Sequence, residues 1–330
     1  MSLWLAGLAL LLVKIGLVLF VVLTGAAYLV LAERKLLARF QLRLGPNRAG
    51  PLGIWQPLAD ALKLLMKEDT VPAGADRPLF LAAPAMSAAT AMLIFAVVPF
   101  GDSLTIAGRP VPLVVADVSV GLLFVLALSS IGVYGVVLGG WASNSSFSLL
   151  GAIRGGAQMI SYELPLALSL APVVMLAGSF SLVDIVSAQA GCPFIVKQPA
   201  AFLIFCVSAL AESKRLPFDL PEAENELMAG YHTEYSGMRF GLYFVGEYVN
   251  MIALGCLVAV FFLGGWRGPL LPPFVWLMLK AALVPLVLIW VRATLPRLRF
   301  DQLMRYGWKV LTPLALANIL VTGGLMAALG

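Results

Sequence analysis

Residues 199–226 read PAAFLIFCVSALAESKRLPFDLPEAENE, an apolar run that continues directly into a charged segment. The last 16 of these residues include five acidic and two basic side chains. The apolar part, from Pro199 to Glu212, gives roughly 20 Å of helix, whereas the hydrocarbon core of a bilayer is about 30 Å thick. Because irregular backbone is not stable in contact with lipid, we predict that the acids lie in a protein-lined, water-accessible cavity near the inner membrane surface, with local thinning of the bilayer as the alternative.

The composition of the whole chain indicates an integral membrane protein. Of its 330 residues, 61% are hydrophobic and only 12% are charged, which is far outside the range of soluble domains. The first 32 residues contain no acid and one base, Lys14, and lack the basic leader of a signal peptide, so we interpret them as a retained first span. The net charge of +5 is attributed to basic loops on one side of the membrane rather than to nucleic-acid binding.

Eight candidate spans predict an all-α polytopic membrane protein that forms a single membrane domain over 1–330. Most of the 22 Lys and Arg residues fall in the loops after spans 1, 3, 5 and 7. The positive-inside rule therefore places these loops inside and both termini on the outer, periplasmic side. The predicted spans are 5–31, 79–99, 113–140, 155–178, 199–212, 241–263, 272–291 and 310–328. The predicted inner loops are 32–78, 141–154, 213–240 and 292–309.

The first inner loop contains an amphipathic helix. Asp60, Lys63 and Lys67 share one helical face, while leucines occupy another. We expect such a helix to lie in the plane of the membrane interface. A solvated polar face without further function is the alternative.

Two acids lie inside predicted spans. Glu163 is about 13 Å beyond Arg154, which marks the predicted inner boundary of span 4, and Glu247 is about 9 Å into span 6. An ionisable group at such a depth is costly unless it faces a polar cavity or binds a proton. We interpret both as functional, with capping of the helix break at Pro165 as the alternative for Glu163.

The loop after the short span carries further acids in close succession, Glu222, Glu224 and Glu226. Carboxylates this close repel one another, so we expect coupled titration and some pKa values raised toward neutrality. Such groups exchange protons at physiological pH. An ordinary solvated acidic loop is the alternative.

Several other chemically distinctive residues are assigned no functional role. His232 is the only histidine, and we expect it to be a hydrogen-bonded structural residue rather than a metal ligand. Lys14 and Lys280 lie inside spans, where a carbonyl partner or snorkelling would account for either. The three cysteines are far apart in apolar surroundings and suggest neither a zinc site nor an iron–sulfur cluster; they are Cys192, Cys206 and Cys256.

Five long stretches in the inner loops and adjoining helices carry an ordered set of motifs. They are AERK (32–35), RLGPNRAGPLGIWQPLADALKLLMKE (43–68), RGGAQMISYELPL (154–166), AESKRLPFDLPEAENELMAGYHTEYSGMRFGLYFVGEY (211–248) and VRATLPRLRFDQLM (291–304). Together they resemble the H-type membrane subunit of respiratory complex I, the proton-pumping NADH:quinone oxidoreductase.

The resemblance implies a membrane subunit that forms the quinone chamber with peripheral-arm subunits. Quinone, either ubiquinone or menaquinone, would enter between the first span, the amphipathic helix and span 6. Residues expected to line or border its passage are Arg34, Asp60, Lys63, Arg292 and Arg297. Residues expected to couple quinone chemistry to proton translocation are Glu163, Glu212, Glu222, Glu224, Glu226 and Glu247.

The resemblance also implies partners and a location. NADH oxidation and the iron–sulfur relay would belong to partner subunits, since the chain shows no nucleotide signature and no cluster ligands. Other partners would be antiporter-like membrane subunits, and the location would be the bacterial cytoplasmic membrane rather than the mitochondrial inner membrane. Two alternatives stay open: a secondary H⁺ or Na⁺ transporter, and the membrane subunit of an energy-converting hydrogenase.

Overall fold

The computed structural model describes residues 2–106, 109–222, 226 and 228–329. Its helices in chain order are α1 Ser2–Phe40, α2 Gln56–Met66, α3 Arg77–Leu93, α4 Gly121–Ala142, α5 Ser146–Ala177, α6 Leu182–Ala188, α7 Phe194–Lys197, α8 Pro199–Glu212, α9 Gly237–Phe262, α10 Pro273–Thr294, α11 Phe300–Tyr306 and α12 Thr312–Leu329. A short antiparallel hairpin, β1 Ser103–Ile106 and β2 Arg109–Pro112, follows α3.

Seven helical segments among the described residues are long and apolar enough to cross a membrane. They are α1, α3 with its 3₁₀ extension, α4, α5, α9, α10 and the continuous segment from α11 through a π-helical turn at Gly307–Leu311 into α12. Helix α8 is apolar but has only 14 residues. The fold is therefore that of an all-α polytopic membrane protein apart from its one hairpin, while the eighth crossing and the side on which each terminus lies remain predictions.

The ends of the helices follow from the local sequence. Helices α2, α3, α8 and α10 each have proline in their first two positions, where the missing N–H costs no hydrogen bond. The side chain of Asp76 accepts a hydrogen bond from the backbone of Leu79 and caps α3. Gly178, with φ 69°, ends α5 in the left-handed conformation that glycine tolerates best.

Several predicted boundaries differ from the structure. Helix α4 begins at Gly121 rather than at 113, because the segment before it belongs to the hairpin and its exit. Helix α5 begins at Ser146 rather than at 155, so 146–154 is helical and Arg154 lies two turns inside the helix, while the side of the membrane on which this stretch lies remains a prediction. The predicted inner loop 292–309 contains the end of α10, all of α11 and part of the π-helical turn.

Helix α9 lies at the centre of the molecule. It packs against α1, α3 and α10, while α5 packs against α4, α8 and α12. Most of α9 is buried, in contrast to α1, whose apolar side chains are largely exposed on the surface available to lipid. The central position of α9 brings residues from α1, α8 and the loop after α8 onto one buried surface, where the charged groups described below meet.

Candidate functional site

A cavity of about 370 Å³ lies between α1, α2 and α9, and we call it the interhelical cavity. Arg34, Asp60 and Lys63 line it, so the structure brings these three predicted residues together. Arg34 Nη1 donates to Asp60 Oδ2 at 2.7 Å, and Gln56 Nε2 donates to the other oxygen at 3.1 Å. The rest of the lining is mainly apolar, and Phe244 of α9 belongs to it. The cavity thus combines apolar walls with a few oriented polar groups.

The other two predicted passage residues lie elsewhere. Arg292, at the end of α10, forms an ion pair with the buried Glu33. Arg297 lies on the loop between α10 and α11, and its Nη1 is 3.5 Å from Glu226 Oε1. Neither belongs to the lining of the interhelical cavity among the described residues. Arg292 is nevertheless linked to the cavity wall, because Glu33 also accepts from Tyr248, whose ring packs against that of Phe244.

Glu33 is the centre of a buried charge cluster that was not predicted from the sequence. Its side chain is 3% exposed, and its carboxylate accepts hydrogen bonds from Arg215 Nη1 at 3.0 Å, from Tyr248 Oη at 2.6 Å and from Arg292. The predicted first span stopped at 31, which placed Glu33 in a loop. Since α1 continues to Phe40, Glu33 lies inside a helix and faces α9 and α10 instead of solvent.

Arg215 connects Glu33 to Glu247. Its Nε lies 2.8 Å from Glu247 Oε1, and both side chains are 8% exposed. The guanidinium carbon lies 4.7 Å from the ring centroid of Tyr248, a cation–π distance. Because an arginine stays protonated in proteins, Arg215 supplies a fixed positive charge between two buried acids.

Glu247 and Glu212 face a second, smaller cavity of about 40 Å³, which we call the polar cavity. Lys214, Ser129 and Asn250 also line it. An adjoining cavity of about 20 Å³ shares Glu212, Ser129 and Asn250 with it. Since a cavity of some 10–15 Å³ is enough for one water molecule, both have room for water beside the carboxylates.

Two consecutive serines of α4 bring the remaining membrane acids together. Ser129 donates a hydrogen bond to Glu212, at the end of α8, and Ser130 donates one to Glu163, in the middle of α5. Glu212 is 7% exposed. The two carboxylates that the sequence places far apart are thus linked through adjacent side chains of a third helix.

The loop acids after α8 differ from one another. Burial, together with Glu247 and Asp219, raises the pKa of Glu222 above its ordinary value. Glu226 is exposed, and the hydrogen bond from Arg154 Nη1 at 2.8 Å lowers its pKa. A rise was expected for some of these acids, and Glu222 shows it, whereas the arginine partner of Glu226 shifts its pKa in the opposite direction. Glu224 lies outside the described residues.

The two lysines within spans are satisfied by backbone carbonyls. Lys14 Nζ donates to the carbonyl of Pro112 at 2.8 Å. Lys280 Nζ donates to the carbonyls of Leu263, Gly265 and Arg267 at 2.6, 2.9 and 2.7 Å. These contacts support a structural role for both lysines, holding the segments after β2 and after α9.

His232 packs among aromatic rings. Its ring lies 4.9 Å from that of Tyr231 and 5.3 Å from that of Phe240, both edge-on. Burial, with a smaller contribution from Lys214, lowers the pKa of His232 to about 4. The surroundings fit a structural histidine that stays neutral, although the contacts described for it are ring contacts rather than the hydrogen bonds we expected.

This environment predicts acid sensitivity. Between about pH 6.5 and pH 4 the unfolded chain binds a proton at His232 that the folded chain does not. The free energy of unfolding therefore decreases by about 1–3 kcal/mol as the pH is lowered through this range. His232→Phe keeps a ring and removes the titration. We expect the variant to lose less thermal stability than the wild type between pH 7.5 and pH 5, measured as the thermal unfolding midpoint of the detergent-solubilised protein. Equal acid sensitivity in both would contradict this account.

The geometry defines a class of protein: a polytopic membrane protein in which a chain of buried carboxylates and arginines leads away from an interhelical cavity. The model of the NADH dehydrogenase family matches residues 13–323. The chain is 67% identical over 327 residues to the H 2 subunit of NADH-quinone oxidoreductase from Syntrophobacter fumaroxidans, with 99% of both chains covered. It is 68% identical over 310 residues to the H 2 subunit from Geobacter sulfurreducens, with 94% of both covered. A more distant relative, the H subunit from Thermomicrobium roseum, is 55% identical over 320 residues, with 94% of each covered.

The chain therefore belongs to the NADH dehydrogenase family and is a membrane subunit of complex I, the NADH:quinone oxidoreductase. Quinone is a substrate of that complex, and the other complex I subunits are partners of the chain. Full-length similarity at this level favours complex I over the transporter and the hydrogenase that the sequence alone left open.

Proposed function

We propose that the interhelical cavity is the quinone passage of this subunit and that the buried carboxylates couple quinone reduction to proton translocation. The observation that carries the proposal is a series of contacts from the interhelical cavity to the middle of the membrane helices, bridged by the polar cavity between Glu247 and Glu212 and by two consecutive serines between Glu212 and Glu163. It runs through Phe244, Tyr248, Glu33, Arg215, Glu247, the polar cavity, Glu212 and Glu163.

The composition of the interhelical cavity supports quinone binding. Its volume of about 370 Å³ is within the range typical of small-molecule sites. Apolar walls suit a quinone ring and its isoprenoid tail, and the cavity lies beside α1, whose apolar surface is open to lipid. Arg34 and Lys63 offer donors to the carbonyl oxygens of the ring. The ion pair with Asp60 holds Arg34 in place.

The charge series supports a coupling role. The ring of Phe244, on the cavity wall, lies 5.0 Å from that of Tyr248, which donates to Glu33. A change of charge in the cavity therefore acts on Glu33 and Arg215 through buried protein, where electrostatic interactions are much stronger than in water. Because reduction of a quinone to a quinol consumes protons as well as electrons, such a change accompanies every turnover. The buried acids then respond by changing their proton occupancy.

The remaining parts of the proposal concern the assembly. Peripheral-arm subunits that carry the iron–sulfur clusters contact the predicted inner loops and complete the quinone chamber. Antiporter-like subunits of the membrane arm receive the signal from the acids. The complex lies in the cytoplasmic membrane of a bacterium, with both termini of this chain on the periplasmic side.

Filling the cavity tests the passage. Ala61 lines the interhelical cavity on α2 and is exposed, so Ala61→Trp adds bulk without disturbing a core. We expect NADH:quinone activity in membranes to fall about tenfold, while NADH:ferricyanide activity, which does not need quinone, stays unchanged.

Ala59→Trp is the matched control for this experiment, because Ala59 is exposed on the same helix and is not part of the lining. Its quinone activity should equal that of the wild type. If Ala61→Trp also reduced quinone at the wild-type rate, the cavity would not be the passage.

A further inference from the structure

The end of α8 carries a residue that is unusual for its backbone position. Lys214 has φ 55°, the left-handed conformation. It follows the C-cap Ser213, at the position where helices most often place glycine or asparagine. A lysine here is less favourable than glycine for the backbone. Departures from such local preferences are expected at functional or strained sites. We therefore expect the side chain of Lys214 to have a role that glycine could not fill.

The side chain of Lys214 is buried among acids. The residue is 8% exposed and lines the polar cavity together with Glu212 and Glu247. Its Nζ lies 5.1 Å from the ring centroid of Tyr231. Burial lowers the pKa of Lys214, while Glu247, Glu222 and Glu212 oppose that effect in this order.

The titratable groups around Lys214 come from three neighbouring elements. Helix α8 contributes Glu212, α9 contributes Glu247 and Tyr243, and the loop contributes Glu222, Tyr231 and His232. Lys214 thus shares the polar cavity with Glu212, which is linked to Glu163, and with Glu247, which pairs with Arg215. Its neighbour in sequence, Arg215, holds the fixed charge of that cluster in ion pairs with Glu33 and Glu247.

We propose that Lys214 is a proton-relay residue of this subunit, passing protons between Glu222 of the loop and Glu212 at the end of α8. In the forward step the Nζ–H bond of the ammonium breaks and an O–H bond forms on the Glu212 carboxylate, directly or through water in the polar cavity. Lys214 is then a neutral amine and Glu212 a neutral acid. A proton from Glu222 restores the ammonium and leaves that carboxylate ionised.

A lysine suits this role where an arginine does not. A buried lysine loses its proton readily, whereas a guanidinium stays protonated. A relay role therefore predicts that Lys214→His retains more proton pumping than Lys214→Arg. A requirement for positive charge alone would predict the opposite order. This inference rests on the proposed function, and its test includes a variant that examines that function separately.

The test compares three variants of the complete complex in membranes: Lys214→Arg, Lys214→His and Lys214→Asn. Histidine and asparagine both tolerate the left-handed backbone. We expect proton pumping coupled to NADH:quinone turnover to fall at least about tenfold in Lys214→Arg and in Lys214→Asn. Lys214→His should retain pumping, with its pH optimum moved to lower pH, because imidazole has a pKa about four units below that of an ammonium group.

The controls separate assembly, proposed function and inference. NADH:ferricyanide activity reports whether the complex is assembled. If a variant lacks this activity, the test is decided by comparing Lys214→Arg with Lys214→His. Lys197 also lies over an aromatic ring but is exposed, so Lys197→Arg should behave as the wild type. Normal pumping in Glu212→Gln would count against the proposed function itself. If Glu212→Gln lost pumping while Lys214→Arg pumped normally, or if the Arg and His variants lost pumping equally, the relay role of Lys214 would be wrong.

Discussion

Replacing Glu33 by Gln is expected to destabilise the subunit by about 3–5 kcal/mol and to reduce the amount of assembled complex. The carboxylate of Glu33 is the common acceptor of Arg215, Arg292 and Tyr248 in a region that is almost completely buried. Arg215 keeps one further partner, Glu247. An amide in place of the carboxylate removes one negative charge and leaves the two guanidinium groups with an uncompensated positive charge.

The size of this effect comes from desolvation rather than from the strength of any single pair. A buried ion cluster adds little net stability compared with apolar residues, but removal of one member leaves the others in a low dielectric without compensation. Arg292 is about a third exposed and can recover part of its hydration, whereas Arg215 cannot. We therefore expect the double variant Glu33→Gln with Arg292→Gln to be more stable than Glu33→Gln alone.

The measurement is the half-inactivation temperature of the solubilised complex, together with its abundance on native gels. Asp301→Asn is the control, because its ion pair with Arg299 is largely exposed and exposed pairs contribute little. It should not change either quantity. A Glu33→Gln complex as stable and abundant as the wild type would show that the cluster is hydrated in the assembled enzyme.

The burial and pairing of Glu33 could not be predicted from the sequence. Hydropathy identified the first span, but the change from apolar to charged residues after Ala32 suggested that the span ended there. The helix continues for another two turns because nothing in 33–40 breaks it and because Glu33 finds partners on α9, α10 and the loop after α8. Those partners lie more than 180 residues away, so the pairing of Glu33 with Arg215 carries no local signal.

Other features could be predicted from the sequence because they depend on local residue patterns. The amphipathic pattern around Asp60 predicts α2, and the apolar run ending at Glu212 predicts α8, whose bounds in the structure are Pro199–Glu212. The hairpin after α3 was missed because the predicted outer segment carries no clear strand pattern. The start of α5 was placed near Arg154 because bases favour the membrane interface, whereas the helix begins two turns earlier, at Ser146.

Replacing Glu212 by Gln is expected to slow quinone reduction and proton pumping together, by about tenfold or more, in a complex that still assembles. Glutamine keeps the shape of the side chain and can accept the hydrogen bond from Ser129, so the local fold has little reason to change. What it cannot do is bind and release a proton. If protons pass through Glu212, the two activities are lost together, since a coupled enzyme does not turn over without its proton steps.

The assay compares NADH:ferricyanide, NADH:quinone and pumping activities in the same membranes. Glu68→Gln is the matched control, because Glu68 is exposed at the end of α2 and belongs to neither cavity, and it should retain all three activities. Unchanged quinone turnover and pumping in Glu212→Gln would contradict the coupling role.

The adjacent serines of α4 extend the argument to Glu163. Because Ser129 contacts Glu212 and Ser130 contacts Glu163, the two acids share one stretch of helix rather than acting at separate sites. We therefore expect Glu163→Gln to lose the same two activities, and the double variant Glu163→Gln with Glu212→Gln to be little worse than either single variant. Additive losses would instead place the acids on independent paths, since non-additivity is the signature of residues that act as one unit.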